Sequence, residues 1–160
     1  MKYILLMLLF PMCIVFAKAQ STPDFQSLKG TWIINAINQK ILDQQNSSLL
    51  EENHYTSLDS MYRVNAYFPV EMNFANEALV LRDRFGTLRT GSCNVSAGVI
   101  TQYEQQDNGL SNGDVPVQLT TLNYTVTNGT LTITSKSFYK DYQRNRAVAS
   151  VITTYYQKTE

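Results

Sequence analysis

The feature that most constrains this chain is a short pattern on either side of Asn128-Gly129. Before it, Leu122, Tyr124 and Val126 alternate with Asn123, Thr125 and Thr127. After it, Leu131 and Ile133 alternate with threonines. Period-two alternation puts the apolar set on one face of an extended strand. Asn-Gly tolerates the positive φ angles that a two-residue type I′ hairpin turn requires. That turn pairs Thr127 with Thr130, Val126 with Leu131 and Tyr124 with Ile133, so the apolar side chains of both strands fall on the same face. Turn chemistry and hydrophobic pattern agree on one register. The expectation is an antiparallel sheet with one buried face.

The same reading extends along the chain. Gly30-Thr31-Trp32 opens a strand from Thr31 to Ile37, with Trp32, Ile34 and Ala36 on one face and Ile33 and Ile37 on the other. Ala78–Phe85 reads as a strand with Leu79, Leu81 and Phe85 together, Arg82 and Arg84 opposite, and Asp83 pointing inward. Gly86 marks a turn, Thr87–Cys93 a return strand and Val99–Gln105 a further strand. Asp107–Asp114, with Asn108-Gly109 and Asn112-Gly113, reads as a loop. The last strand runs from Ala147 to Lys158. Tyr62–Phe74 alternates but contains Pro69, which confines it to an edge or a bulge. Helical character is sparse. Thr22–Leu28 is a short lead-in anchored by Phe25 and Leu28. The polar stretch Asn38–Ser60 holds the rest, with Ile41 and Leu42, then Leu49 and Leu50, as faces of short helices. The fold class is therefore all-β, and no internal repeat is evident.

Met1-Lys2-Tyr3 precedes an apolar run from Ile4 to Phe16, which ends in Ala17-Lys18-Ala19. A charged start, a short apolar middle and a small-x-small end are the parts of a secretory signal. The run is short for a spanning helix, which needs about 20 apolar residues, and Pro11 interrupts it. Phe10-Pro11-Met12 before Cys13 does not read as a lipobox. The expectation is export to the periplasm or the extracellular space, cleavage after Ala19, no membrane span in the mature chain, and a single domain over 20–160. The full chain carries 13 Lys+Arg and 13 Asp+Glu. Losing Lys2 and Lys18 tips this slightly acidic, which argues against a nucleic-acid partner. Cys93 alone remains after cleavage, so no internal disulfide is expected and stability must come from the core.

No catalytic constellation emerges. A Ser-His-Asp or Cys-His site would need His54, the sole histidine, which sits in a polar stretch without partners. One His and one Cys are too few for zinc. Asp107, Asn108, Asn112 and Asp114 lack the spacing of an EF-hand loop. No metal or cofactor is called for. Asp83 and Glu104 are conceivable as a hydrolytic pair, which would need about 5–9.5 Å between carboxyls; local ion pairing of Asp83 with Arg82, Arg84 or Arg89 explains it more simply. Sequons occur at Asn46, Asn94, Asn123 and Asn128, and Asp59-Ser60-Met61 matches a short bacterial O-glycosylation pattern. Tyrosines on predicted strands are the most suggestive side chains, since each joins a flat apolar ring to a polar tip.

Two stretches carry a family resemblance. Pro23–Trp32, PDFQSLKGTW, is similar to the opening of lipocalins and fatty-acid-binding proteins, where a helical lead-in precedes a Gly-x-Trp strand. Ala149–Glu160 resembles the last strand of fatty-acid-binding proteins and of short lipocalin-like domains exported by Bacteroidetes-type bacteria. The resemblance implies an up-and-down barrel of about eight strands around a cavity, with a helical or irregular segment after the first strand. It also implies a non-catalytic protein that binds a small apolar or amphipathic ligand. The chain departs from the pattern in two places. The Thr-Asp-Tyr motif of lipocalins is missing. Where fatty-acid-binding proteins carry Arg-x-Tyr for a ligand carboxylate, the aligned ends place Thr154 and Tyr156. Cavity candidates are Tyr103, Tyr124, Ile133 and Tyr156. Gly30, Trp32, Asn128 and Gly129 take structural roles, with Trp32 as a plug at one end. An envelope or extracellular interaction module is the alternative, and a carboxylate hydrolase the third reading.

Overall fold

A computed structural model describes residues 25–64, 68–76, 78–96, 98–106 and 115–159, with the backbone alone at 104–106 and 115–119. Nine strands form one antiparallel sheet: β1 (Gly30–Asp43), β2 (Leu49–Tyr55), β3 (Glu71–Ala75), β4 (Ala78–Arg82), β5 (Leu88–Ser96), β6 (Val99–Gln106), β7 (Val115–Thr127), β8 (Thr130–Asp141) and β9 (Arg146–Lys158). Helix α1 (Phe25–Leu28) precedes β1, and α2 (Leu58–Val64) lies between β2 and β3. From β3 to β9 each strand pairs with the next, β1 pairs with β3, and β9 pairs back onto β1. That closes a barrel of eight strands, with β2 as one extra strand outside the ring.

The extra strand follows from the length of β1. One edge of β1 pairs with β9 from Trp32 to Asp43. The other edge pairs with β3 over Gly30–Ile33 and then with β2 over Ile37–Leu42. Similarly, β8 pairs with β7 only as far as Thr134 but with β9 as far as Asp141. The far halves of β1, β8 and β9, together with β2, thus run on past the barrel as a projecting sheet. Between the β2 and β3 contacts, α2 and Val70 lie along β1. There Val70 accepts from the Ile34 N–H (2.9 Å) and donates to the Arg82 carbonyl (2.8 Å).

The Asn-Gly hairpin has the register expected from its sequence. Tyr124 faces Ile133, Val126 faces Leu131, and Thr127 faces Thr130. Asn128 and Gly129 have φ of 51° and 73°, as a type I′ turn requires. Tyr124, Leu131 and Ile133 are buried, whereas Thr127 and Asn128 are exposed.

Other expectations are corrected. Ile37, assigned to the face opposite Trp32, is fully buried in the core. A bulge at Asn35, between the pairs Ile34–Tyr156 and Ala36–Tyr155, inserts one residue and flips the alternation behind it. Ile41 and Leu42 lie on β1, and Leu49 and Leu50 on β2, not on helices. Asp43 closes this hairpin by accepting the Gln45 and Asn46 N–H groups (2.8 and 3.4 Å). Sequence-local polarity hid β2 and the half of β1 beyond Ile37, whose partners lie across the sheet. The helix of this region is instead α2, reaching Val64, and it takes up Tyr62. Pro69 precedes β3 and leaves its ladder intact. β4 stops at Arg82, so Asp83 lies in a turn, where its Oδ1 accepts from Phe85 N (2.8 Å) and Thr87 N (3.0 Å). Phe85, expected beside Leu79, is 77% exposed in that turn. The loop over Asp107–Asp114 and the segment up to Ala19 lie outside the described residues.

The α1 end of the barrel is closed. Trp32 is 1% exposed, and its indole N–H donates to the Leu28 carbonyl at 2.6 Å. A buried indole needs such a partner, and one turn of helix supplies it. Phe25 meets Phe74 edge-on at 6.3 Å. The Lys158 ammonium lies 5.5 Å from the Trp32 ring centroid. Gly30, at φ 118°, turns the chain from α1 into β1 where a Cβ would meet Lys158 Cε at 3.0 Å.

Candidate functional site: a cavity in the open half of the barrel

The inward positions change character along each strand. Nearest α1 they are Phe74, Leu79, Ile100, Tyr124 and Leu131, all buried in one cluster with Leu28 and Trp32. One step further, at i±2 on the same strands, stand Met72, Leu81, Gln102, Leu122 and Ile133. These line a cavity of about 390 Å³ together with Thr154 and Tyr156 from β9. Beyond them, at the rim, are Arg89, Thr120 and Ser135. Phe68 and Pro69 cover one side. The volume falls within the range of small-molecule sites, about 300–1,000 Å³. Apolar walls with a few placed polar groups are also what such sites use.

Gln102 reaches the cavity through a local backbone device. At β5, Gly91 points inward, and a Cβ there would lie 2.1 Å from the Tyr103 carbonyl oxygen. Only glycine admits this approach of β6. Between Gln102 and Tyr103 the pairing of β6 with β7 also slips, so that Thr120 faces Gln102 and Gln118 faces Tyr103. Gln102 keeps the inward parity of Ile100 and is 2% exposed, with its Nε2 lacking any hydrogen-bond partner. An unpaired buried amide costs about 1–3 kcal/mol, so its place in an otherwise apolar wall calls for a reason.

Tyr156 forms part of the floor. Its hydroxyl donates to the Pro69 carbonyl at 3.1 Å. Burial, and then the neighbouring Tyr62, push that hydroxyl's pKa far up. Tyr62 stacks on Phe68 at 4.7 Å with planes 11° apart. Burial likewise raises its pKa, against the opposing pull of the Arg84 guanidinium and backbone. Above it, the Arg84 guanidinium sits 4.5 Å from the Tyr62 ring and 4.4 Å from Phe85. A shallower hollow of about 200 Å³, bounded by Asp83, Arg84, Phe85 and Thr87, shares Pro69, Leu81 and Arg89 with the cavity. Arg89 therefore stands where the two meet. Among the described residues no carboxylate pairs with it.

The sequence candidates are distributed unevenly over this site. Ile133 and Tyr156 line the cavity, as does Thr154. Tyr124 is inward but one step too deep, packed in the closed-end cluster. Tyr103 is half-buried and does not line the cavity; its neighbour Gln102 takes the inward position. The missed lining residues Gln102, Thr120 and Ser135 share inward parity with apolar neighbours at i±2. That was a legible signal, but polar residues at inward positions read as solvent-facing.

The remaining chemistry lies elsewhere. His54 is exposed on β2, beside Ala36, Thr56 and Tyr155 on an outer groove. Cys93 is buried and not in a disulfide. Asp83 is committed to its turn, and the Glu104 side chain lies outside the described residues. Among the described residues no three His, Cys, Asp or Glu side chains gather as a metal site, and no helix is long and apolar enough to cross a membrane. Compared with known proteins, the chain matches no family model, no curated protein and no solved structure.

Proposed function

We propose that this chain is an exported, non-catalytic binding protein of the lipocalin-like kind, which holds a small apolar or amphipathic molecule inside the barrel. The observation that carries the reading is the cavity of about 390 Å³ at the end opposite Trp32, apolar in its walls and polar at a few inward positions. A chain selected for stability alone would continue the closed-end packing upward, since filling such a void gains stability. Export rests on the N-terminal charged, apolar and Ala-Lys-Ala segments. Native mass spectrometry of the protein purified from its own source tests both parts. The expected result is a chain starting at Gln20 with a retained small molecule, and loss of that molecule when Leu122→Trp fills the cavity. A bare chain that also takes up no hydrophobic probe would overturn the binding reading.

One observation favours a second reading, an interaction module. Phe138 and Tyr139 are 59% and 46% exposed on the projecting part of β8, and Tyr142 is 82% exposed in the turn after it. Beyond Thr134, the β8 edge has no partner strand but β9 among those described. Contiguous exposed apolar groups and free strand edges are where chains associate. Sedimentation velocity over a concentration series would reveal self-association, and its loss in Phe138→Ser would assign it to this edge.

A further inference from the structure

Resting on the binding reading, we propose a ligand class and an orientation: an amphipathic acid bound with its acid group at the mouth against Arg89, and with an acceptor oxygen in its body against Gln102. Three observations point this way. Arg89 is an exposed guanidinium at the junction of cavity and outer hollow, with no carboxylate pairing with it among the described residues. The other cations described in carboxylate pairs, Lys40, Arg82, Arg144 and Arg146, are on the outer surface or the projecting sheet. Deeper in, Gln102 carries a buried amide nitrogen with nothing to donate to. The floor beneath offers apolar surface from Met72, Leu122 and Ile133, and a Tyr156 hydroxyl already committed to Pro69.

The polarity of the ligand follows from these positions. A carboxylate or sulfonate driven to the floor would find a tyrosine whose proton is used and no cation, and a buried unpaired anion is prohibitively costly. At the mouth the same group gains a planar guanidinium fork that matches it and keeps part of its hydration. Asp83, which lines the outer hollow, is held back by two backbone N–H groups. An entirely apolar body would leave the Gln102 amide unpaired, as it is in the free chain. An ether, ketone or hydroxyl oxygen would accept its N–H. Both preferences discriminate between ligands of equal size, because each turns on whether a polar group is left unpaired.

Two pairs of dyes and competitors test this. 8-Anilinonaphthalene-1-sulfonate and N-phenyl-1-naphthylamine differ by one sulfonate. Both are expected to bind the wild-type chain and to be lost in Leu122→Trp or Thr120→Trp, with thermal melts to confirm folding. Arg89→Met keeps the side-chain stem. It should weaken the sulfonate dye by about tenfold or more, the size of a lost charged hydrogen-bonded pair, and change the neutral dye by less than about twofold. For the inner contact, 2-acetylnaphthalene should displace the neutral dye better than 2-ethylnaphthalene, and Gln102→Leu should erase that preference while tightening the neutral dye. An equal change of both dyes in Arg89→Met, or none in either, overturns the acid placement. A ketone preference that is absent in the wild type or survives Gln102→Leu overturns the inner contact. Binding that persists in both tryptophan variants overturns the site. Failure of the wild type to bind either dye overturns the cavity reading itself, a result distinct from all the others.

Discussion

The two ends of this barrel are built from the same strands at the same inward parity, yet they do opposite things. On β6 the inward residue is Ile100 at the α1 end and Gln102 one step on. On β8 Leu131 and Ile133 give way to Ser135, and on β9 Tyr156 gives way to Thr154. The closed end buries a tryptophan, its helical cover and a continuous apolar cluster. The open end leaves a cavity, an amide without a partner and a rim arginine. The cavity and the unpaired amide lower stability, so the closed end must supply the surplus. The contrast teaches that the division lies across the strands rather than between them: each strand from β3 to β9 contributes to both the packed cluster and the cavity wall.

The sharpest way to break that division is at its strongest point. Trp32→Ala removes the indole and its bond to Leu28. Truncating a buried tryptophan costs about 3–5 kcal/mol, a large share of the stability of a domain this size. Urea denaturation should show the midpoint collapse, while Thr154→Ala at the other end shifts it by well under 1 kcal/mol. Comparable losses at both positions would mean that the open end is as tightly packed as the closed one.

Next in size is the glycine that couples the ends. Gly91→Ala sets a methyl against the Tyr103 carbonyl, whose backbone cannot swing aside. The expected cost is about 1–3 kcal/mol, the range for overpacking. Because the displaced strand carries Gln102, the variant should also lose the preference for 2-acetylnaphthalene over 2-ethylnaphthalene. A stable Gly91→Ala that keeps this preference would show that the β5–β6 approach does not position the amide.

How much of this was legible is itself uneven. The β7–β8 hairpin was readable to the residue, because Asn-Gly fixes the turn and the alternation fixes the face within a few residues. Barrel closure was readable only through the likeness of the chain's ends, since the β1–β9 pairing joins residues more than a hundred positions apart. The β1–β2 hairpin was not readable. Its residues, such as Lys40 and Glu52, are polar because they pair on an outer face, and polarity without a turn signal resembles a loop or a helix surface. The bulge at Asn35 left no local mark, so Ile37 was assigned to the wrong face. At the site, aromatic residues drew attention to Tyr103 and Tyr124. Gln102 was passed over because a polar residue reads as solvent-facing, although it shares the inward parity of Ile100 two positions before it.

A smaller effect has the opposite sign. Gln102→Leu replaces an unpaired buried amide by an apolar side chain of similar size. It should raise stability by about 1 kcal/mol, or Tm by about 2–4 °C. Isosteric apolar changes at the closed end, such as Leu131→Met, should lower stability by less than about 1.5 kcal/mol. A stabilising change at the open end beside a destabilising one at the closed end is the signature of a position retained for binding. A clear loss in Gln102→Leu would make the amide structural.

A further effect lies on the boundary, at Tyr156, and it depends on pH. The ring is 1% exposed and the hydroxyl donates to Pro69. Burial first, and Tyr62 second, hold the folded-state pKa well above the ordinary tyrosine value of 10.0. In the unfolded chain Tyr156 releases its proton near that ordinary value, while the folded chain keeps it. Above about pH 10 the unfolded state therefore binds fewer protons, and stability falls as pH rises, by up to about 1.4 kcal/mol per pH unit for one such group. Below that pH the contribution is flat. Tyr156→Phe should lose about 0.5–1.5 kcal/mol at neutral pH, the worth of one hydrogen bond, and should decline less steeply between pH 10 and 11. Part of the decline will persist, because the buried Tyr62 hydroxyl is shifted in the same direction. Urea titrations of both chains at pH 7, 10 and 11 resolve the two contributions. If the variant keeps the full alkaline decline, water reaches the Tyr156 hydroxyl, and the sealed end of the barrel stops below this residue rather than above it.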